Sequence, residues 1–224
     1  MDSHNNLNNL RHSAAHLLAA AVVEYYPETK LTMGPSIDEG FYYDFEFKEP
    51  ISDRDLGKIE QKMRELVKQW DRFEHEEVSY DEAIKRYPNN PYKLELIEEI
   101  RDKHEKITFY KAGHFSDLCR GGHCENPSKE LKHFKLLSIA GAYWRGDSKN
   151  TMLTRIYGTA FTTKEELQQH LKNIEEAKLR DHRKLGADLE LFFVDDIVGK
   201  GLIMWLPNGT IIRDEIERLA REKE

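Results

Sequence analysis

Two pairs of nitrogen and sulfur side chains stand out in this sequence because each pair has a spacing of four residues. His12 and His16 form the first pair, and Cys119 and His123 form the second. The first pair lies in an alanine-rich apolar run, where a spacing of four places both imidazoles on one face of a helix. The second pair adjoins two glycines, which favours a tight loop or the start of a helix. If the fold brings the pairs together, three imidazoles and one thiol form a cleft suited to a divalent metal or an activated water.

Length and composition are typical of a soluble globular protein. The 224 residues are enough for one sizeable domain plus an appendage. No apolar run approaches the roughly 18–20 residues that a membrane span requires. The first six residues lack the basic and apolar regions of a secretory signal, and two cysteines so close in sequence cannot staple a fold of this size. We therefore expect a reduced, cytoplasmic protein with no membrane partner.

The distribution of charge is more informative than its sum. The net charge of −7 argues against a free-standing nucleic-acid-binding protein. Three local clusters are nevertheless basic: Lys129, Lys132, His133 and Lys135; Arg145, Lys149 and Arg155; and Lys178, Arg180, His182, Arg183 and Lys184. Each cluster is typical of a solvated surface, whereas convergence of several clusters would allow contact with phosphates.

Apolar periodicity and helix-capping patterns predict the elements that must position the two pairs. Helices are predicted at 8–26, 52–69, after the capping box 79–82, and at 92–100, and strands at 41–47, 73–78, 107–110, 134–144 and 152–161. This irregular alternation predicts an α+β fold, in which helices pack on a mainly antiparallel sheet in two layers. We expect this domain to cover residues 1–161.

The pattern of residues after position 161 predicts a linker helix followed by part of a further domain. A capping box at 163–166 opens a helix that is expected to run to Leu185 and to be ended by Gly186, which gives a linker at 162–186. Residues 187–224 carry apolar segments but are too few to form a stable core alone. We expect them to be the truncated start of a further domain.

Several motifs, in one order along the chain, resemble the editing domain of bacterial threonyl-tRNA synthetases. The motifs are His12-Ser-Ala-Ala-His16, Gly40-Phe-Tyr-Tyr-Asp44, Asp117-Leu-Cys-Arg-Gly-Gly-His123, Ala140-Gly-Ala-Tyr-Trp-Arg-Gly-Asp147 and Arg155-Ile-Tyr-Gly-Thr-Ala160. The resemblance runs from about residue 8 to the end. It implies that 187–224 are the beginning of a class II aminoacylation domain, and that the rest of the synthetase is absent from this chain. A fragment of this kind is not expected to charge tRNA.

The resemblance also implies a reaction and a partner. In this family the editing domain hydrolyses serine that has been wrongly esterified to tRNA(Thr), so the expected partner is the acceptor end of tRNA(Thr) carrying serine. The physical need is clear, because threonine exceeds serine by one methyl group, which supplies only about 1–3 kcal/mol of discrimination. A synthetic site that accepts threonine therefore cannot strongly reject serine, and a second, hydrolytic pocket completes a double sieve.

The site residues implied by the resemblance are named by their positions here. The catalytic set is His12, His16, Lys93, Asp117, Cys119 and His123, and the substrate-binding set is Met33, Gly34, Tyr43 and Asp117. We expect His12 and Lys93 to activate water, while the other catalytic residues hold the seryl group and the terminal adenosine. Plainer roles stay open, since Cys119 could be a small buried thiol and Lys93 an exposed helix lysine. A covalent role for Cys119 is not expected, because no dedicated base accompanies it.

A metal is the main open question about the site. His12, His16, Cys119 and His123 match the ligand preferences of zinc, which the related alanyl-type editing domains bind there, whereas the threonyl type edits without a metal. We predict no required metal, with zinc held by these four residues as the alternative. Two other functions also stay open: an acceptor-binding module without turnover, and a zinc-stabilised structural domain. Gly122 replaces the proline usual in the family, which is expected to loosen the loop before His123.

Overall fold

The computed structural model describes residues 3–199 and 201–224. Met1 and Asp2, which the predicted 1–161 domain includes, and Lys200, which the predicted 187–224 segment includes, lie outside the described residues. The chain divides into two compact units, one ending at Leu167 and the other beginning at Gln168. No helix among the described residues is both long and apolar enough to cross a membrane.

The helices and strands have the following bounds, numbered in chain order. The helices are α1 (Ser3–Tyr25), α2 (Leu56–Leu66), α3 (Tyr80–Arg86), α4 (Pro91–Asp102), α5 (Pro127–Glu130), α6 (Lys164–Leu179), α7 (His182–Asp188) and α8 (Pro207–Lys223). The strands are β1 (Lys30–Leu31), β2 (Ser36–Ile37), β3 (Gly40–Glu46), β4 (Glu74–Val78), β5 (Ile107–Ala112), β6 (Phe115–Leu118), β7 (His133–Tyr143), β8 (Met152–Phe161), β9 (Phe192–Val194) and β10 (Ile203–Trp205).

A five-stranded antiparallel sheet forms the scaffold of the first unit. Its order is β1-β3-β8-β7, and β2 pairs with the start of β3. Alternation along β3 turns Phe41, Tyr43 and Phe45 toward the core, where each is no more than 1% exposed. Helix α1 packs on the inner strands of this sheet and on α2. Because it is covered on several sides, α1 is apolar around most of its circumference, as a buried helix should be.

A smaller three-stranded sheet, β4-β5-β6, carries the second half of the site. Helices α3 and α4 enclose a separate small core with it, centred on Ala83, Ile97 and Phe109. Asn90 begins α4 by accepting a hydrogen bond from the Lys93 amide at 3.2 Å, and its side-chain amide donates to the Leu31 carbonyl at 2.8 Å. That second bond ties α4 to the strand β1 of the larger sheet.

The predicted α+β fold with antiparallel sheets is confirmed, since every strand pairing in the described part of the chain is antiparallel. The prediction of one helix up to Leu185, ended by Gly186, is wrong. The helix ends at Leu179, and Asp181 begins α7 by accepting from the Arg183 amide at 2.8 Å. Gly186 lies inside α7, where an added Cβ would come within 2.5 Å of the Phe192 ring. The glycine therefore serves close packing and does not stop a helix.

The second unit contains α6 from Gln168 onward, α7, the β9–β10 hairpin and α8. Many of its apolar side chains are exposed: Leu189, Phe193, Val194, Ile197, Leu202, Trp205, Ile211, Ile212, Ile216 and Leu219 are each more than 40% accessible. The interpretation of 187–224 as the start of a larger domain stays a prediction, as do the predicted boundaries at 161 and 186.

Candidate functional site

Helix α1 supplies the first pair of histidines. His12 and His16 lie one turn apart, and their ring centroids are 5.0 Å apart. His16 is only 3% exposed, and its ring meets Phe73 and Phe115 edge-on. His12 is half-buried and reaches toward the second pair. The helical spacing that the sequence shows therefore places both imidazoles on one face of α1.

A tight loop after β6 brings the second pair back to α1. Gly121 and Gly122 have φ values of +103° and +85°, which L side chains rarely adopt, and these turns return the chain toward the helix. The Cys124 amide donates to the Ser13 hydroxyl at 3.0 Å, which fastens the loop to α1. As a result the His123 ring stacks on His12 with centroids 4.7 Å apart.

The two pairs form one cluster. One ligand atom from each of His12, His16, Cys119 and His123 lies within 4.8 Å of the corresponding atoms of the other three. The Cys119 Sγ is 3.5 Å from Nε2 of His12 and 3.5 Å from Nε2 of His123. The structure thus brings together the three imidazoles and one thiol that the sequence suggested.

The hydrogen bond to Gly122 fixes the tautomer of His12. Its Nδ1 is 3.1 Å from the Gly122 carbonyl, and a carbonyl only accepts, so Nδ1 carries the proton. The opposite nitrogen, Nε2, then holds a lone pair on the side of Cys119. Burial lowers the pKa of His12 below its ordinary value of 6.5, opposed by the bond to Gly122. His12 is therefore neutral and able to accept a proton at physiological pH.

The other ionisable members of the cluster are neutral as well. Burial is the largest cause at both other histidines: it keeps the pKa of His16 well below 6.5 and lowers the pKa of His123 to about 2. Lys93 and the nearby imidazole of His12 further disfavour a charge on His16, and the imidazoles of His16 and His12 do the same at His123. Burial also raises the pKa of Cys119 to about 11, although the Gly121 amide donates to its sulfur. A protonated thiol is a poor nucleophile, which agrees with the expectation that Cys119 does not attack covalently.

A buried ion pair lies beside the cluster. The Lys93 Nζ is 2.5 Å from Oδ1 of Asp117, and both residues are 1% exposed. Tyr43 donates to Oδ2 of the same carboxylate at 2.6 Å and accepts from Lys93 at 3.3 Å. His16 Nδ1 lies 4.0 Å from that Oδ2. The plainer interpretation of Lys93 as an exposed helix lysine is wrong, because the start of α4 carries its ammonium into the protein.

These residues line a cavity of about 530 Å³. Of the predicted site residues, the wall includes His12, His16, Met33, Gly34, Tyr43, Lys93, Asp117 and Cys119. His123 lies behind the wall, stacked on Phe73 with centroids 4.0 Å apart. An added Cβ at Gly34 would meet the Tyr43 ring at 2.2 Å, so the glycine lets the loop before β2 lie against that ring.

Other wall residues were not predicted. They are Thr32, Pro35, Ser36, Leu96, Glu99, Ile100, Lys106, Thr108, Leu118 and Arg120. Leu96 and Ile100 follow Lys93 at spacings of three and seven, so helical periodicity, once Lys93 is placed inside, would have found them. Thr108 lies opposite the Cys119 segment on β5, a pairing between distant residues that no local pattern reveals.

The chain is similar in sequence to proteins of known family. Residues 107–157 match the family described as the threonyl and alanyl tRNA synthetase second additional domain. Threonine–tRNA ligases are 52% identical over 96% of the chain in Acholeplasma laidlawii, 52% over 97% in Dehalococcoides mccartyi and 53% over 97% in Anoxybacillus flavithermus. The chain spans 33%, 37% and 34% of these relatives, respectively.

The chain is related to the editing-domain region of bacterial threonyl-tRNA synthetases. The matched segment 107–157 contains Asp117, Cys119 and His123 but not the histidines of α1. The longer matches to the bacterial ligases cover nearly the whole chain and so take in both halves of the site.

The four-residue cluster matches zinc in composition, and the two contacts of its sulfur match zinc in length. Tetrahedral zinc has a Zn–S distance of about 2.3 Å and Zn–N distances of about 2.0 Å, which gives S···N edges of about 3.5 Å. Both contacts of the Cys119 sulfur have this length. His12 already donates its other ring nitrogen to a carbonyl, as zinc-bound histidines do. Hydrogen bonds between a thiol and an imidazole have similar lengths, so the spacing permits a metal without requiring one.

Proposed function

We propose that this chain hydrolyses the ester bond of Ser-tRNA(Thr), as an editing deacylase. The observation that carries the proposal is the convergence of a neutral, tautomer-fixed histidine and a buried lysine on one cavity. Ester hydrolysis needs a proton acceptor for the attacking water and a positive group near the carbonyl oxygen. His12 on α1 and Lys93 on α4 would supply these two functions from the wall of the same cavity.

The reaction follows from the protonation states. Nε2 of His12 accepts a proton as a water molecule attacks the seryl carbonyl carbon, and the Lys93 ammonium stabilises the negative oxygen that forms. The bond between that carbon and the ribose oxygen then breaks, and the proton on His12 passes to the ribose oxygen. The products are serine and tRNA with a free terminal hydroxyl, and the site returns to its starting state.

Some of the remaining site residues would contact the substrate, and the others would hold Lys93 and His12 in position. Tyr43, Met33 and Gly34 belong to the cavity wall, and in this proposal they enclose the seryl group. Both carboxylate oxygens of Asp117 are occupied by protein donors, which favours support of Lys93 over direct contact with the seryl amine. His123 supports His12 from behind through the ring stack. The Cys119 sulfur contacts the rings of His12 and His123 at 3.5 Å each and restricts their orientation.

The proposed partner is the acceptor end of tRNA(Thr), and the proposed compartment is the cytoplasm. A volume of about 530 Å³ lies within the range of small-molecule sites, so the cavity suits the terminal seryl-adenosine. Lys106 and Arg120 contribute to its wall, and each is also paired with a surface glutamate. Exposed pairs of this kind exchange readily, so both cations are available to the backbone phosphates of the acceptor strand. Binding should weaken as salt rises.

A zinc site is the second candidate, favoured by the ligand spacing in the cluster. His12, His16, Cys119 and His123 would hold the ion, which would polarise the ester or activate water when bound. In either case the neutral histidines and the Lys93–Asp117 pair shape the same cavity.

Release of labelled serine from Ser-tRNA(Thr) by the full chain tests the proposed function. His12→Ala should abolish the enzyme-dependent rate while the circular dichroism spectrum and melting temperature stay close to those of the parent. Loss of a general base typically costs 10²- to 10⁴-fold. His114→Ala, at an exposed histidine between β5 and β6, is the matched control and should retain the rate. Binding of the seryl-tRNA without any release would instead identify an acceptor-binding module.

A further inference from the structure

Tyr87 contacts the buried ion pair from the side away from the cavity. It follows α3 directly, and its hydroxyl donates to Oδ1 of Asp117 at 2.8 Å. The same hydroxyl accepts from the Leu118 amide at 3.1 Å, and the ring stacks on Phe109. The residues that line the cavity in the described part of the chain do not include Tyr87. Tyr87 can therefore affect a bound ligand only through the wall residues that it touches, and its shortest contact among them is with Asp117.

The contacts of Asp117 show what Tyr87 adds. Oδ1 accepts from Lys93, from Tyr87 and from the Leu118 amide, whereas Oδ2 accepts from Tyr43. Two phenols thus hold the carboxylate from opposite sides, one bound to each oxygen. A carboxylate held at both oxygens cannot rotate about its Cβ–Cγ bond, and this fixes the position of the atom that binds the ammonium.

The position of Lys93 depends on this restraint. Its side chain has several rotatable bonds, and an ammonium has no directional preference of its own, so the acceptors around it decide where it lies. The two acceptors are Oδ1 of Asp117 and the Tyr43 hydroxyl. The Tyr87 ring also faces the ammonium, with Nζ 5.8 Å from the ring centroid.

We propose that Tyr87 is a positioning residue for the hydrolytic site: its hydroxyl fixes the Asp117 carboxylate, which holds the Lys93 ammonium at the cavity wall. The proposal rests on the proposed function, in which that ammonium stabilises the negative oxygen of the transition state. It also makes a claim independent of catalysis, namely that the Tyr87 hydroxyl restrains Asp117 and the adjoining Leu118 amide.

Tyr87→Phe removes the contribution of the Tyr87 hydroxyl to this restraint and leaves the other donors to Asp117 in place. The ring keeps its stack on Phe109, and the Leu118 amide keeps an acceptor in Asp117 Oδ1 at 2.9 Å. The substitution therefore leaves no buried donor unpaired and should preserve the fold. Tyr80→Phe is the matched control, because Tyr80 begins the same helix and its ring packs under Arg101 instead of contacting the ion pair.

The experiment measures two quantities on the full chain and on both variants. The first is single-turnover hydrolysis of Ser-tRNA(Thr) over a range of protein concentrations, which separates the rate at saturation from the half-saturating concentration. We expect Tyr87→Phe to lower the rate at saturation about tenfold, the size expected for one hydrogen bond to a charged group, and to leave the half-saturating concentration unchanged. The second is hydrogen exchange of the Leu118 amide by NMR, which should become faster in Tyr87→Phe only.

Each outcome decides the proposal. A parental rate in Tyr87→Phe overturns it, as does a rate loss shared by Tyr80→Phe. A rate loss with unchanged exchange at Leu118 overturns the route through Asp117. If the parent chain itself releases no serine, the proposed function fails, and the exchange of Leu118 alone then decides whether Tyr87 restrains Asp117.

Discussion

Breaking the buried ion pair between Lys93 and Asp117 should destabilise the first unit, and replacing Asp117 should cost more than replacing Lys93. Removing one partner of a buried ion pair costs about 3–5 kcal/mol, because the other charge is left uncompensated. In Lys93→Met, the Asp117 carboxylate still accepts from Tyr43, Tyr87 and the Leu118 amide. We therefore expect the lower end, about 3 kcal/mol. In Asp117→Asn, the ammonium loses its counter-charge and keeps the Tyr43 hydroxyl, so the cost should approach about 5 kcal/mol.

The double variant tests whether the two residues act as one unit. Lys93→Met combined with Asp117→Asn buries no net charge, so its cost should fall short of the sum of the single costs by about 2 kcal/mol. Lys48→Met is the control: Lys48 contacts Glu28 at 2.8 Å, but both side chains are largely exposed, and the unfolding midpoint should not move measurably.

Urea unfolding measures these free energies. The chain contains three tryptophans, so a Trp205→Phe background leaves Trp70 and Trp144 as fluorescent reporters of the first unit. The free energy of unfolding follows from the midpoint and the slope, which should stay constant among the variants. Single variants that unfold within about 0.5 kcal/mol of the parent, or costs that add in the double variant, would refute the description of the pair as buried and coupled.

Four further predictions follow from the site. Because burial lowers the pKa of His123 to about 2, this residue binds a proton in the unfolded chain but not in the folded chain below about pH 6.5. Stability should therefore fall as the pH drops, by at most about 1.4 kcal/mol per pH unit for this residue. Urea unfolding at several pH values should show a weaker dependence of the free energy of unfolding on pH in His123→Gln than in the parent chain. Because the pKa of His12 is also lowered, the rate of seryl-ester hydrolysis should fall with decreasing pH along a curve whose midpoint lies below pH 6.5, and an apparent pKa above 6.5 would contradict the assignment of the base. Gly122→Ala places a side chain at φ +85° and should cost about 1–2 kcal/mol and slow hydrolysis, with unchanged stability as the opposing result. Elemental analysis of purified protein should find less than one zinc per chain, with no effect of a chelator on hydrolysis; stoichiometric zinc and loss of activity on chelation would favour the metal-bound alternative.

Local patterns predicted the elements that build the scaffold. Alternation of aromatic and polar residues identified β3, and the strongly apolar pattern of β7 and β8 identified the longest strands. The spacing of His12 and His16 correctly placed both on one helix face. These features depend on near neighbours in sequence, which is why they could be read from the chain alone.

Features that depend on distant contacts were not predictable in the same way. The burial of Lys93 arises because Asn90 ties α4 to Leu31, and a lysine on a short helix is ordinarily exposed. Tyr87 lies in a break between helices, and only the folded chain shows its hydroxyl against Asp117. Gly186 resembles a helix terminator in sequence, but the Phe192 ring that packs on it requires the glycine inside α7.

Hydrolysis of Ser-tRNA(Thr) compared with Thr-tRNA(Thr) under identical conditions tests the central claim most directly. The neutral His12 and the buried Lys93, converging on one cavity, should release serine far faster than spontaneous hydrolysis while threonine is released close to the spontaneous rate. Equal, background-level loss of both amino acids from the two tRNAs would contradict the assignment of this cavity as an editing site.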